Sequence, residues 1–477
     1  MIFEDVQEAP APDPSRLRLK SALIGFGALA VFTILAWLIS VMPKAEDKAE
    51  ITAQIIPNVE QTRIKIEQKA VAKQARHAST SSAAAPVANM IRSMTDARIT
   101  TPEAYRFSDG VTGLGEGGFG NGVGFGDGAG FNPGAMAGSM RARCNAADRI
   151  NRLRRSGAGP QTEVAVVNAL RYFAERQMED GSFTYEYPVS MTGLVLLAYL
   201  GHCETPSSPE FGKVVTKAAL YLMEAAKNSE GGALYSQNGG KPAYENAIAT
   251  YALCELYSLA RGDGSASRVP GLETALRQGV DAIVGGQDST GGWNYGYRKG
   301  TGGDTSVAGW NFQALKAAYN TGMNISGVNE ALDHGLKFFK FAQADDGGFA
   351  YRPQSNLQTK PTLVGVGALA FVLWDNNEDG VRDLAFDWLN KNEVEVAPMR
   401  IYSWYYVTQA YFMIGGEPWS KWNSWAMPQI LGSQGPDGAF HTSVGHGPRD
   451  LVYATALCTL SLEVYYRYLP TSDKVGR

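Results

Sequence analysis

The chain has 477 residues, 43 of them basic and 47 acidic, for a formal net charge of -4. Hydrophobic residues make up 44% and charged residues only 19%, which allows a large core and excludes a wholly disordered chain. The balanced charge, with no Lys/Arg block, excludes nucleic acid as a partner.

In chain order, the first element is an uncharged run of 21 residues, Ser21–Val41, preceded by Arg16, Arg18 and Lys20. That length spans a bilayer core. Lys44, Glu46, Asp47 and Lys48 behind it nearly cancel. The positive-inside rule then gives a cytoplasmic tail at 1–20, a transmembrane helix at 21–43 and everything later on the far side. A cleaved signal peptide is the competing reading, but its apolar stretch is shorter and no A-x-A site follows here. The expectation is a single-pass protein of the inner (cytoplasmic) membrane with its N-terminus inside.

Residues 44–140 read as a juxtamembrane segment and linker. Lys44–Arg76 is rich in Ala, Lys, Gln and Glu and is interrupted at Pro57; Ser79–Ala85 is STSSAAA. Gly110–Gly138 then carries 13 glycines. Gly loses the most conformational freedom on folding, so this run is expected to stay flexible. Its GxGxxG-like spacings lack a preceding strand and a following helix, so they do not make a nucleotide loop.

The four cysteines, Cys144, Cys203, Cys254 and Cys458, include no CxxC pair, which excludes a zinc ribbon or thioredoxin-type site. Buried free thiols are one reading for all four. The sharper one pairs Cys144 with Cys203, which both adjoin polar turn sequence, in a disulfide that needs an oxidising compartment.

From 141 to 470 the sequence repeats, leaving a short tail at 471–477. Gln177–Phe183, Gln287–Trp293, Gln343–Phe349 and Gln434–Phe440 each read Gln, polar residues, Gly, then an aromatic at the seventh position. Degenerate copies sit at Asn228–Leu234 and around Asn390. Six units of about 40–55 residues signal a repeat architecture. Each turn follows a helical run with one charged face: Val164–Arg176, Val214–Lys227, Leu272–Val284, Val328–Ala342, Val381–Leu389 and Trp422–Leu431. Each precedes a run apolar on nearly all faces: Val189–Leu200, Glu245–Leu259, Thr305–Tyr319, Pro361–Leu373, Ile401–Ile414 and Leu451–Tyr465. A helix apolar all round is surrounded by protein. The expectation is an all-α fold, with the second runs as an inner ring and the first as an outer ring.

The Q-x-x-x-G-x-aromatic turns resemble the QW-type repeats of the terpenoid cyclase and protein prenyltransferase superfamily. The resemblance covers about 330 residues and implies an (α/α)6 toroid. That superfamily's chemistry does not transfer. In squalene–hopene cyclases a D-x-D-D-T-A motif supplies the proton. The similar stretch here is Thr301–Ser306, with Gly303 where the acid would be. Asp304 reads instead as an N-cap, without acidic neighbours to raise its pKa and with a helix N-terminus favouring its anion. The prenyltransferase zinc ligand in D-x-Y-H-T is matched by Ala454 in Asp450–Thr455, and the complement-like thioester motif is absent at Gly201–Thr205. No metal or cofactor is expected. His441 and His446 share a loop near Arg449 and Asp450; a metal or general-base role is one reading, and a solvated polar loop is the simpler one.

The remaining candidates lie in the loops entering the inner helices. Tyr244, Trp310, Lys360, Arg400, Tyr402, Trp404, Arg449 and Tyr453 are candidate ligand-binding residues, and Glu245, Asp304 and Asp450 are candidate acids. Aromatics with a few convergent charges suit a ligand pocket; they also fill ring centres. Three functions follow as expectations. The first is a membrane-anchored, non-catalytic ligand-binding or scaffold module for a lipid or isoprenoid, a peptide or a membrane-protein partner. The second is an enzyme, cyclase-like or glycan-acting, using rim residues. The third is a tethered transducer whose layout is similar to TonB-like proteins, although their transmembrane His is missing.

Overall fold

The computed structural model describes residues 143–236, 241–353, 359–374, 380–396, 399–443 and 451–467. Contacts divide the chain into Met1–Ser79 and Thr80–Arg477, and every described residue belongs to the second unit. The expected tail at 1–20, transmembrane helix at 21–43, linker at 44–140 and tail at 471–477 lie outside the described residues. So do His446, Arg449 and Asp450. Among the described residues no helix is long and apolar enough to cross a membrane.

The fold is all-α. Among the described residues extended pairing is limited to isolated bridges such as Gln343 with Phe349. In chain order the longer helices are α1 (Ala146–Arg155), α2 (Pro160–Ala174), α3 (Pro188–Gly201), α4 (Gly212–Lys227), α5 (Pro242–Gly262), α6 (Leu272–Gly286) and α7 (Thr305–Asn320). They continue as α8 (Val328–Ala342), α9 (Pro361–Trp374), α10 (Val381–Lys391), α11 (Ile401–Ile414), α12 (Gly416–Gly432) and α13 (Leu451–Leu462). A single helical turn, Val464–Arg467, follows α13. Helix α1 has no counterpart in the repeat. Asn145 starts it by accepting from the backbone N–H groups of Ala147 and Asp148, as an N-cap does.

From α2 onward the helices alternate in burial. In α3 every residue from Val189 to Gly201 is buried. In α8 only one stripe is buried, including Val328, Ala331, Leu332, Gly335 and Leu336, the spacing of an amphipathic helix. The odd-numbered helices pack on one another in sequence, α3 on α5, α5 on α7, α7 on α9, α9 on α11 and α11 on α13, and α13 packs on α3.

The Gln turns join the hairpins. The Gln177 side-chain amide donates to the carbonyl of Gly181 within its turn and to that of Val214 in α4. Gln287 does the same with Gly291 and Ala331, Gln343 with Gly347 and Val381, and Gln434 with Gly438 and Ala165. The last of these ties the fourth turn to α2, across 269 residues. The turn glycine is fixed by two constraints. Gly347 has φ +90°, and a Cβ there would sit 2.1 Å from the carbonyl oxygen of Leu384. The Gln287→Ala change removes two hydrogen bonds at once and is expected to cost about 1–3 kcal/mol, read as a lower denaturant midpoint.

At the C-terminal ends of α3 and α5 the two ends of the described head meet. Cys144 and Cys203 form a disulfide with Cα atoms 5.0 Å apart. Arg143 donates to Glu255 at 2.7 Å, and Arg467 reaches the other oxygen of Glu255 at 3.2 Å. Beside them Arg149 and His202 both bond Glu163 Oε1 at 3.0 Å, and His202 Nδ1 lies 2.8 Å from Glu204.

These contacts set a pH window. Burial and the Arg149 charge push the His202 pKa down, but Glu163 and Glu204 outweigh them and hold it near 9, above the ordinary 6.5. Burial raises the Glu163 pKa, but Arg149 and His202 overcome it and hold it near 2, below 4.5. The His202 contribution is complete below pH 6.5 and is lost as pH rises through 9; that of Glu163 is complete above 4.5 and is lost as pH falls through 2. Denaturant midpoints are expected to peak between pH 4.5 and 6.5, and His202→Gln should flatten the alkaline decline.

Candidate functional site

Each odd-numbered helix from α3 onward begins after a turn or connecting loop, so the first turns of these helices collect at one end of the head. Tyrosine dominates there. Asp304 caps α7, accepting at Oδ1 from the N–H groups of Ser306 and Val307 and from Ser306 Oγ at 2.6 Å. Ser306 Oγ in turn lies 2.7 Å from the hydroxyl of Tyr244, in the first turn of α5. Tyr295 packs against Tyr244 with centroids 5.5 Å apart, and Thr305 N donates to the backbone carbonyl of Tyr351. Tyr244, Tyr295, Tyr351 and Tyr402 all feel the Asp304 charge.

The deeper layer crosses between helices that are not sequence neighbours. Trp310 of α7 stacks on Tyr405 of α11, with centroids 5.3 Å apart and planes 18° apart, and its Nε1 donates to the Tyr402 hydroxyl at 3.3 Å. Tyr402 stands edge-on to Tyr406 at 5.4 Å and tilted to Tyr453 at 6.5 Å. The phenols of Tyr244 of α5 and Tyr402 of α11 also lie within electrostatic reach of each other. Trp310, Tyr405 and Tyr406 are at most 1% exposed. Burial pushes the Tyr402 phenol up to about 12 and raises those of Tyr244, Tyr406 and Tyr453, so these four hydroxyls stay neutral and serve as donors and acceptors at ordinary pH.

Asp304 is the cap its sequence implied, but its electrostatics differ. Burial raises its pKa, against the hydrogen bonds from Ser306 and Val307 and the charge of Arg352. Desolvation does here what no acidic neighbour was present to do. Glu245 is fully buried, yet its partners are Ser236 and the N–H of Val189 at the start of α3. It braces a loop and a neighbouring helix and is not joined to the Asp304 cluster.

Of the candidate binding residues, Tyr244, Trp310, Tyr402 and Tyr453 come together. The Lys360 ammonium lies 5.5 Å from the centroid of Tyr351 at the same end. Arg400 is exposed at the N-cap of α11. Trp404 is elsewhere. It is fully buried, its Nε1 donates to Val396 O, and it packs on Trp422 and Trp425 of α12. Two residues after Tyr402, it points to the opposite side of α11, because each helical residue turns by about 100°.

The sequence reading missed Tyr295, Tyr351, Ser306, Tyr405 and Tyr406. A signal for the first two was present. The turn aromatic is followed two residues later by tyrosine in Phe183–Tyr185, Trp293–Tyr295 and Phe349–Tyr351. Among the described residues no three His, Cys, Asp or Glu side chains are grouped to hold a metal ion. The sequence matches no family model and no curated protein.

Proposed function

We propose that this chain is a membrane-anchored, extracytoplasmic (α/α)6 toroid of the terpenoid cyclase and protein prenyltransferase type that acts as a non-catalytic binding module. A transmembrane helix at 21–43 and the Gly-rich segment would hold it at the membrane. Three observations support this architecture. The odd-numbered helices pack in a cycle, Gln434 bonds α2, and a disulfide of the kind oxidising compartments favour joins Cys144 to Cys203.

The observation that carries the binding role is the filling of the axis. Tyr244 and Tyr402 of α5 and α11, three places apart in that cycle, lie within electrostatic reach of each other, and Trp310 of α7 bonds Tyr402 and stacks on Tyr405. A cyclase-like enzyme needs that space for its substrate. With aromatic side chains in it, the tyrosine-rich end acts as a surface, and a peptide or protein partner suits a surface better than a long isoprenoid does. The test is native mass spectrometry of the full chain extracted from its own membranes, with bound molecules identified. A protein partner retained by the wild type and released by Tyr402→Ala is the expected result. A stoichiometric lipid or isoprenoid overturns the reading.

One observation favours an enzyme as the second reading. Asp304 is a buried carboxyl with a raised pKa among phenols, the environment of a general acid. Asp304→Asn would then abolish a turnover that Tyr402→Ala only weakens.

A further inference from the structure

The exposed charges around the tyrosine-rich end are mostly basic. The segments that lead from each turn into its inner helix carry Lys241, Arg298, Lys299, Lys360 and Arg400, of which four are exposed and Lys360 is half-buried. Among the described residues none of the five pairs with a carboxylate. The exposed acids Asp180, Asp345, Asp346 and Asp437 belong to the Gln turns, whose glycines Gly181, Gly347 and Gly438 abut the backbone of the outer helices at Lys217, Leu384 and Asn168. Helix N-termini point at the same end and add partial positive charge. Acids are present too, the exposed Glu186 before α3 and the buried Glu245 and Asp304 at the starts of α5 and α7, but among the described residues the bases of these segments outnumber them.

Three classes of anionic partner fit bases, and two of them fit the rest less well. A sugar polymer needs open aromatic faces. Here Lys241 lies over the Tyr187 ring at 5.3 Å, Lys360 lies over Tyr351, and the Tyr244 and Tyr295 rings are inclined to each other by 55°. A phosphate-bearing membrane surface supplies anions for the bases but no run of backbone N–H groups for the tyrosine hydroxyls. A peptide offers carboxylates for the rim and N–H donors for the centre, and Tyr and Arg are residues that protein interfaces favour.

We infer that this end of the head docks an acidic polypeptide segment, whose carboxylates pair with Lys241, Lys360 and Arg400 while its N–H groups meet the tyrosine hydroxyls. The inference rests on the binding-module reading and adds the chemistry of the partner.

The test uses the full chain in lipid nanodiscs and fluorescent poly-L-glutamate as the probe. Poly-L-glutamate is expected to bind and to lose affinity as salt rises. The Lys241→Glu/Lys360→Glu double change should weaken it at least ~10-fold. Lys337→Glu, an exposed change on α8, should leave it unaltered. Circular dichroism checks that all variants remain folded. Absence of poly-L-glutamate binding, or equal binding by the double variant, overturns the inference. Tighter binding of polygalacturonate or of phosphatidylglycerol vesicles also overturns it and replaces the peptide with a glycan or a membrane. If poly-L-glutamate fails while Tyr402→Ala still releases the native partner, the charge argument falls and the binding module stands.

Discussion

Replacing Glu255 by glutamine is expected to destabilise the head by about 3–5 kcal/mol, the largest single effect of any side chain described here. Glu255 gives one oxygen to Arg143 and the other to Arg467, and the arginine side chains are 3% and 1% exposed. Taking away the carboxylate leaves two guanidinium groups out of water without their counter-charge. The nearby Glu463 limits the damage. It is fully buried, neither of its oxygens has a hydrogen-bond partner among the described residues, and burial holds its pKa well above the carboxylate range. The Glu255 charge contributes to that rise. Without Glu255, Glu463 ionises more readily and supplies part of the missing charge. Glu463→Gln alone should therefore cost little, and the double change should cost more than the two single changes added together. Urea midpoints of the four proteins test this; strict additivity would show that Glu463 does not respond to the loss.

Losing the Cys144–Cys203 disulfide is the second large effect. The bridge closes a loop with a sequence separation of 59, and the chain-entropy relation gives about 4 kcal/mol for a loop of that size. Cys144→Ser is expected to lower the melting temperature of the head markedly, and a reducing agent should do the same to the wild type. The reductant should change nothing further in the Cys144→Ser protein, because Cys254 and Cys458 are buried free thiols whose pKa burial raises. An unchanged melting temperature in Cys144→Ser would mean that Arg143 and Arg149 hold the entry segment unaided.

The helical alternation was legible in the sequence because it rests on local chemistry. The run Val328–Ala342 has the same limits in the sequence reading and in the structure. Ile401–Ile414 also coincides, since a left-handed Gly415 ends it. The outer run begun at Trp422 starts six residues earlier, at Gly416. The polar Ser420 and Lys421 broke the apolar pattern without breaking the helix. The single turn Val464–Arg467 separates from α13, so Leu451–Tyr465 is not one continuous helix.

The candidate site was legible only in part. Tyr244, Asp304 and Tyr402 follow from their places at helix starts. Trp404 did not belong with Tyr402, because nearness in sequence says nothing about which neighbour each side of a helix faces. The burial that raises the Asp304 pKa comes from rings on other helices, and no local pattern carries it. Glu255 was invisible for the same reason. Its partners Arg143 and Arg467 lie 112 and 212 residues away, so only the folded chain brings them to one carboxylate.

The bond from Gln434 to the carbonyl of Ala165 has a consequence for biosynthesis. Helix α2 emerges from the ribosome long before the turn that completes its contacts. At translation rates of about 5–20 residues per second, that partner arrives roughly 15–50 s later. Throughout that interval α3, buried on every side in the finished head, lacks its neighbour α13. Nascent chains stalled before residue 434 should therefore bind holdase chaperones and be cut readily by proteases. Release of the complete head should end both susceptibilities in one cooperative step.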